Sequence, residues 1–180
     1  MKVTQAFGDD TTFSVRLTLQ RFDDVDGGLD SLELAYVSVV IGGRELTGEA
    51  DGQLVDTFLQ DLAGIKNRRR AWAGAPPTKA TYEDVFWNLR AAQFFDDPLM
   101  RTPVALQRAA AARRHRVVPV TPEFKHSDAY VLELDDTVAL ALAYRAGWED
   151  GIQATTLRAG EIDSTISQVL EWAKLPRRHP

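Results

Sequence analysis

Acid–base or metal chemistry in this chain would have to start from three histidines, His115, His126 and His179, because its 180 residues include no cysteine. A cysteine nucleophile, a thiolate metal site and a disulfide framework are excluded on that ground. His126 is the histidine with carboxylates close by, in Glu123-Phe124-Lys125-His126-Ser127-Asp128. An imidazole beside two carboxylates can serve as a proton relay or a metal ligand set. Glu123 and Asp128 follow no known ligand spacing, however. The segment reads first as a polar loop leading into a strand, with an unfamiliar enzyme centred on these three residues as the alternative. His115 lies in a basic run, and His179 lies in the closing Arg177-Arg178-His179-Pro180.

Phosphate chemistry has no better foothold. Gly27-Gly28 and Gly42-Gly43 lack the spacing of either nucleotide-binding loop, and no Lys-Ser or Lys-Thr pair follows them. No Gly-x-Ser-x-Gly elbow is present. The carboxylates cluster as adjacent pairs, Asp9-Asp10, Asp23-Asp24, Asp96-Asp97 and Asp135-Asp136. Neighbouring side chains diverge on a strand or a helix, so adjacent pairs rarely converge on one ion. Turn formation is the better explanation of them. The expectation is a protein with no catalytic residue, no metal and no cofactor, whose work is binding.

Charge suggests where binding could occur. The net charge is −5, but it is distributed unevenly. Residues 1–62 carry 12 acids and 4 bases, a net −8. Residues 63–122 carry 4 acids and 11 bases, a net +7, and residues 123–180 carry 10 acids and 6 bases, a net −4. Each block could steer an oppositely charged partner, or the blocks could offset one another once folded. In the middle block, Lys66, Arg68, Arg69 and Arg70 with Trp72, then Arg113, Arg114 and Arg116, are candidates for phosphate contacts. That makes an RNA-associated protein the competing reading. The chain's pI of about 5.2 and the absence of a recognition motif weigh against it, so no direct nucleic-acid partner is expected.

Positioning these residues falls to strands and helices that alternate in blocks. Phe13, Val15, Leu17 and Leu19 alternate with polar residues at the period of a half-buried strand. Asp23, Asp24, Asp26, Gly27 and Gly28 make an acidic turn-rich loop, and Ser31–Ile41 is a second strand with Leu32, Leu34 and Tyr36 on one face. Gly42-Gly43 is a tight turn into a short strand at Arg44–Thr47. Leu54, Val55, Phe58, Leu59 and Leu62 have helical spacing, with Gly64 as the stop. Thr81 caps a helix whose buried side holds Val85, Phe86, Leu89 and Phe94, and Pro103–His115 reads as another. Val117, Val118 and Val120 form a short strand-like run. A hairpin joins Tyr130–Leu134 to Val138–Tyr144 through Asp135-Asp136-Thr137, and a strand at Ile152–Leu157 precedes a last helix bearing Ile162, Ile166, Val169 and Leu170. Hairpins without a βαβ alternation predict one α+β domain over residues 1–180, with a largely antiparallel sheet, helices packed on it and a basic helical middle at about 63–116.

Three of these segments together resemble the immunity proteins of bacterial toxin systems, specifically immunity protein family forty-two. They are Phe7-Gly8-Asp9 leading to Phe13-Ser14-Val15; Val40-Ile41-Gly42-Gly43-Arg44-Glu45-Leu46 ahead of the Leu54–Leu62 helix; and the C-terminal hairpin, strand and helix opening at Gly160-Glu161-Ile162-Asp163 and carrying Trp172. Residues 63–122 have no counterpart in that resemblance, and Asp10-Thr11 stands where a Pro-containing turn belongs. The resemblance implies a protein of contact-dependent growth inhibition or a related system. Such a protein binds the C-terminal domain of one cognate toxin, often a nuclease, and blocks it by occluding its active site or substrate groove. An acidic surface suits that task, because nuclease sites attract polyanions. Asp23, Asp24, Asp26 and Asp30 are the residues expected to face the toxin. Met1–Gln5 lacks the apolar run of a secretory signal, and the apolar stretches are too short to span a bilayer, so cytoplasmic residence without membrane contact is expected.

Overall fold

The computed structural model describes residues 2–22, 32–46, 53–69, 81–94, 112–118, 124 and 126–174. Five strands form the first sheet: β1 (Lys2–Asp9), β2 (Phe13–Phe22), β3 (Leu32–Ile41), β4 (Arg44–Glu45) and β5 (Gln53–Leu54). Their order is β1-β2-β3-β4, with β5 also pairing β3. Helices α1 (Val55–Arg69) and α2 (Tyr82–Phe94) follow, then a helical segment α3 at 112–115. A second sheet has the order β6 (Ser127–Glu133), β7 (Val138–Arg145), β8 (Gln153–Arg158), and α4 (Glu161–Lys174) follows it. Every strand pair is antiparallel. The expected α+β class is observed, with the antiparallel strands divided between two sheets.

The alternation in β2 sets the main core. Phe13, Val15, Leu17 and Leu19 are buried and face Ile41, Val39, Val37 and Ala35 across the ladder. This register keeps Leu32, Leu34 and Tyr36 on one face, as expected, and makes it the outer one. Leu34 and Tyr36 lie opposite Gln20 and Thr18, on the polar side, and are only half-buried. A strand apolar at consecutive positions, as Val37–Ile41 is, does not declare its inner face until its partner fixes the register.

α1 and α4 pack on this inner face, contributing Phe58, Leu62 and Ile65 from one and Ile162, Ile166 and Val169 from the other. Lys66 Nζ donates to Ser167 Oγ at 2.6 Å between them. Gly64 does not end α1, contrary to the sequence expectation. The stripe of Phe58 and Leu62 continues through Ile65, 1% exposed, and that burial outweighs the roughly 1 kcal/mol a mid-helix glycine costs.

β1 carried no periodic signal because its burial pattern gives one buried residue, Phe7. Its backbone ladder to β2 holds it, and Phe7 meets Trp172 of α4 edge-on, ring centroids 5.6 Å apart. The run at 117–118 is not a strand of either sheet. It follows an isolated bridge from Arg116 to Tyr130, and Val117 N–H donates to Ala129 O at 2.9 Å.

In the second sheet β6 and β7 are buried on both faces. Ala129, Val131, Ala139, Ala141, Ala143 and Leu157 join the main core, while Tyr130, Leu132, Leu140 and Leu142 lie under Val85 and Phe86 of α2. The two sheets meet at the β3–β4 turn. Gly42 and Gly43 have φ of +57° and +78°, the left-handed pair a two-residue hairpin requires. Gln153 Nε2 donates to Gly42 O at 2.8 Å, and Ser127 Oγ donates to Leu46 O at 2.5 Å. Arg44 pairs with Asp150 and lies 5.4 Å from the centre of the Trp148 ring.

A methyl group at Gly42 would overlap Thr155 Oγ1 and Gln153 Nε2, whereas one at Gly43 would enter open space. Both substitutions strain the turn by about 1–2 kcal/mol. Gly42→Ala should cost about 1 kcal/mol more, from displacing the Thr155 and Gln153 side chains and disturbing the Gln153–Gly42 hydrogen bond. Urea unfolding midpoints of the two variants measure that difference.

Candidate functional site

Asp128 belongs to the segment read as a polar loop leading into a strand, with an acid–base cluster around His126 as the alternative, and the structure gives it different partners. Its side chain, 3% exposed, accepts Arg90 Nε from α2 on Oδ2 at 2.9 Å and Arg116 Nε on Oδ1 at 3.0 Å. His126 is exposed in the turn before β6, and Glu123 lies outside the described residues. Asp128 is thus committed to two guanidinium groups, and the described residues show no His126–Asp128 relay. Among the described residues no group of three or more His, Asp or Glu side chains is arranged to hold a metal ion.

Burying a carboxylate is tolerable only with matched charge and hydrogen bonds. The sequence puts Asp128 one residue into β6, on the face that α2 covers, opposite Tyr144. α2 begins where expected. Asp84 N–H donates to Thr81 Oγ1 at 3.1 Å, and Thr81 N–H donates back to Asp84 Oδ2 at 3.2 Å, a capping box with Asp in the acid position. Those contacts, the Thr81 hydroxyl first, hold the Asp84 carboxyl below its usual range.

From that start, Val85, Phe86 and Leu89 face the sheet and Arg90 reaches Asp128. Aromatic rings continue outward from the ion cluster. Phe86 lies 5.3 Å from Tyr130 and 5.2 Å from Trp87, and Trp87 lies 5.3 Å from Tyr144, all edge-on. The Arg90 guanidinium lies 5.4 Å from the Trp87 ring centre and 5.9 Å from that of Tyr144. Arg90 therefore joins a buried carboxylate to a surface aromatic pair, and Trp87 remains 38% exposed. Trp, Tyr and Arg held rigidly at a surface have the composition of the centre of a protein interface. Sequence reading found Phe86 as core and missed this cluster, because its members come from α2, residue 116, β6 and β7.

The two acidic pairs within the described residues, Asp9-Asp10 and Asp135-Asp136, do what turn chemistry predicted. Asp9 accepts from Thr11 N–H at 2.8 Å and Thr11 Oγ1 at 2.7 Å. Asp10 is bonded to Ser14 and Arg16. Asp135 accepts from Thr137 Oγ1, Thr137 N–H and Val138 N–H, at 2.7, 2.7 and 2.8 Å, and these contacts keep its carboxyl below the usual range. Asp23, Asp24, Asp26 and Asp30, named from sequence as the toxin-facing acids, lie outside the described residues, as do Asp96 and Asp97. Of the basic candidates, Arg116 is 5% exposed and spent on Asp128, and Lys66 bonds Ser167. Arg113 is exposed, Arg114 is half-buried, and the side chains of Arg68, Arg69, Arg70 and Trp72 lie outside the described residues.

No protein-family model matches the chain, and no curated protein matches its sequence. A solved structure does match it. The crystal structure of CdiI from Burkholderia dolosa is similar over 93% of this chain and 99% of that one, with a TM-score of 0.62 at 15% identity. The likeness is one of fold, and it bears out at that level the resemblance drawn from the three sequence segments.

Two outcomes test the ion cluster. Asp128→Ala strands the buried Arg116 and should cost about 3–5 kcal/mol in urea unfolding. Arg90→Ala should cost less, since that side chain is 34% exposed. Tyr130 supplies a pH signature. Burial first, then the Asp128 charge, pushes its phenol far above the ordinary value. Unfolding lets the phenol ionise near pH 10, so its contribution is complete below about pH 10 and is lost as pH rises above that value. Tyr130→Phe should flatten the alkaline fall in stability, measured as the unfolding midpoint against pH.

Proposed function

We propose that this chain is an immunity protein of a contact-dependent inhibition or related polymorphic toxin system. It would bind the C-terminal domain of its cognate toxin and neutralise it by occluding the active site or substrate groove. The observation that carries this reading is the fold likeness to CdiI, which spans nearly the whole length of both chains. CdiI is a contact-dependent inhibition immunity protein, so a protein of the same architecture is assigned the same class of work. Its residues fit binding better than catalysis, since Asp9, Asp10, Asp84, Asp128 and Asp135 are engaged in turns, a helix cap and the Arg90–Asp128–Arg116 cluster.

Within that reading the toxin is a nuclease. The acidic first third carries a net −8, and a negative surface steers toward the cationic groove that a nuclease offers its substrate. Asp23, Asp24, Asp26 and Asp30 are proposed as the surface that meets it. No described helix is long and apolar enough to cross a membrane, and cytoplasmic residence is part of the proposal, with no cofactor assigned.

Co-expression with the toxin domain encoded beside this gene tests the proposal. Growth should be restored and the two chains should co-purify, and failure of both overturns it. Replacing Asp23, Asp24, Asp26 and Asp30 together with Asn should slow association about tenfold at low salt and leave the dissociation rate nearly unchanged, as measured by surface plasmon resonance. An unchanged on-rate removes these acids from the interface.

A further inference from the structure

The outer flank of α2 presents one large aromatic side chain. Glu83, Trp87 and Ala91 follow one another at helical spacing, so they stand on one side of α2, away from buried Val85 and Phe86. All three are exposed. Trp87 keeps 38% of its surface accessible, and Ala91 is too small to overhang its ring. The ring is braced by its neighbours, edge-on to Phe86 and to Tyr144 and 5.4 Å from the Arg90 guanidinium carbon. An indole already held in place loses little freedom when a partner covers it, which suits it to anchor an interface.

Charge narrows the choice of partner. Glu83 and Asp84 open α2, and Arg90 is its only base. Arg90 is committed to Asp128, whereas no described cation pairs with Glu83. Together with Arg116, which shares Asp128, these groups carry a net −1. A nucleic acid stacked on Trp87 would set its phosphates beside carboxylates, which disfavours it. A second copy of this chain, itself at net −5, would bring the same carboxylates to the contact. The complementary surface is that of a protein with Lys or Arg around an apolar pocket, since a basic side chain can pair with Glu83 and stack on the indole.

We infer that the Glu83–Trp87 flank of α2 is an anchor for the toxin domain, with Trp87 entering an apolar pocket on the toxin and Glu83 pairing with a basic side chain at its rim. This docking presupposes that the chain is an immunity protein, and it is a second contact, separate from Asp23, Asp24, Asp26 and Asp30. The two contacts act on different rate constants. Exposed acids steer the encounter, whereas a covered aromatic anchor slows departure.

Surface plasmon resonance on the immobilised toxin domain separates them. The unsubstituted chain should bind, and Trp87→Ala should raise the dissociation rate about thirtyfold while changing association less than about threefold. Glu83→Lys, at an exposed position where folding does not depend on the side chain, should weaken binding about tenfold. If the unsubstituted chain does not bind, the immunity reading falls and this anchor with it. If it binds and Trp87→Ala dissociates at the same rate, or Glu83→Lys binds as tightly, the anchor alone is overturned. Two further outcomes overturn it. One is a toxin-free mass near twice 20.0 kDa that Trp87→Ala returns to 20.0 kDa, which marks a contact between copies. The other is retention on single-stranded RNA that Trp87→Ala abolishes, which marks a stacking platform.

Discussion

β6 and β7 are covered on both faces, by the main core on one side and α2 on the other, and this double burial governs their surroundings. A strand in such a sheet has no polar face to offer, yet β6 carries Asp128. The charge is accommodated because Arg90 arrives from α2 and Arg116 from the bridge beside β6, one guanidinium for each oxygen. The same contacts fix α2 against the sheet and orient Arg90 over Trp87 and Tyr144. A buried ion cluster and an ordered surface are thus one arrangement, with Arg90 common to both.

The two ends of the fold are treated differently. Where the sheets meet, the junction is dense, because the Gly42 turn touches β8, Ser127 bonds Leu46, and Arg44 bridges to Asp150 over Trp148. The opposite margin, at β1, is held by backbone pairing and one aromatic contact. The junction therefore tolerates little change, since close-packed contacts transmit any shift.

Acidic residues, abundant in this chain, divide by environment. Asp9, Asp10, Asp84 and Asp135 sit at turns or a helix cap, and hydrogen bonds hold each below the ordinary carboxylate range, from hydroxyl and backbone N–H groups for Asp9, Asp84 and Asp135 and from the Ser14 hydroxyl and Arg16 guanidinium for Asp10. Their contribution to stability is complete above about pH 4 and is lost as pH falls below that value. These acids are occupied by local structure. The proposed toxin contact at Asp23, Asp24, Asp26 and Asp30 rests on the net −8 of residues 1–62.

Much of the fold was legible because its signals are local. The alternation of β2, the capping pair Thr81 and Asp84, the Gly42-Gly43 turn, the Asp135 connection and the apolar face of α4 each depend on neighbours within a few residues. Four features needed the folded chain. β1 is a strand by virtue of its partner and carries one buried side chain. The inner face of β3 was set by its register on β2. α1 runs past Gly64 because Ile65 finds the core. Asp128 sat near His126 in sequence, but its partners lie 38 and 12 residues away, on elements whose meeting no spacing encodes. Sequence by itself determined which segments bend, cap and alternate. Tertiary packing alone decided which faces turn inward and which charges meet, because burial and register depend on residues far apart in the chain.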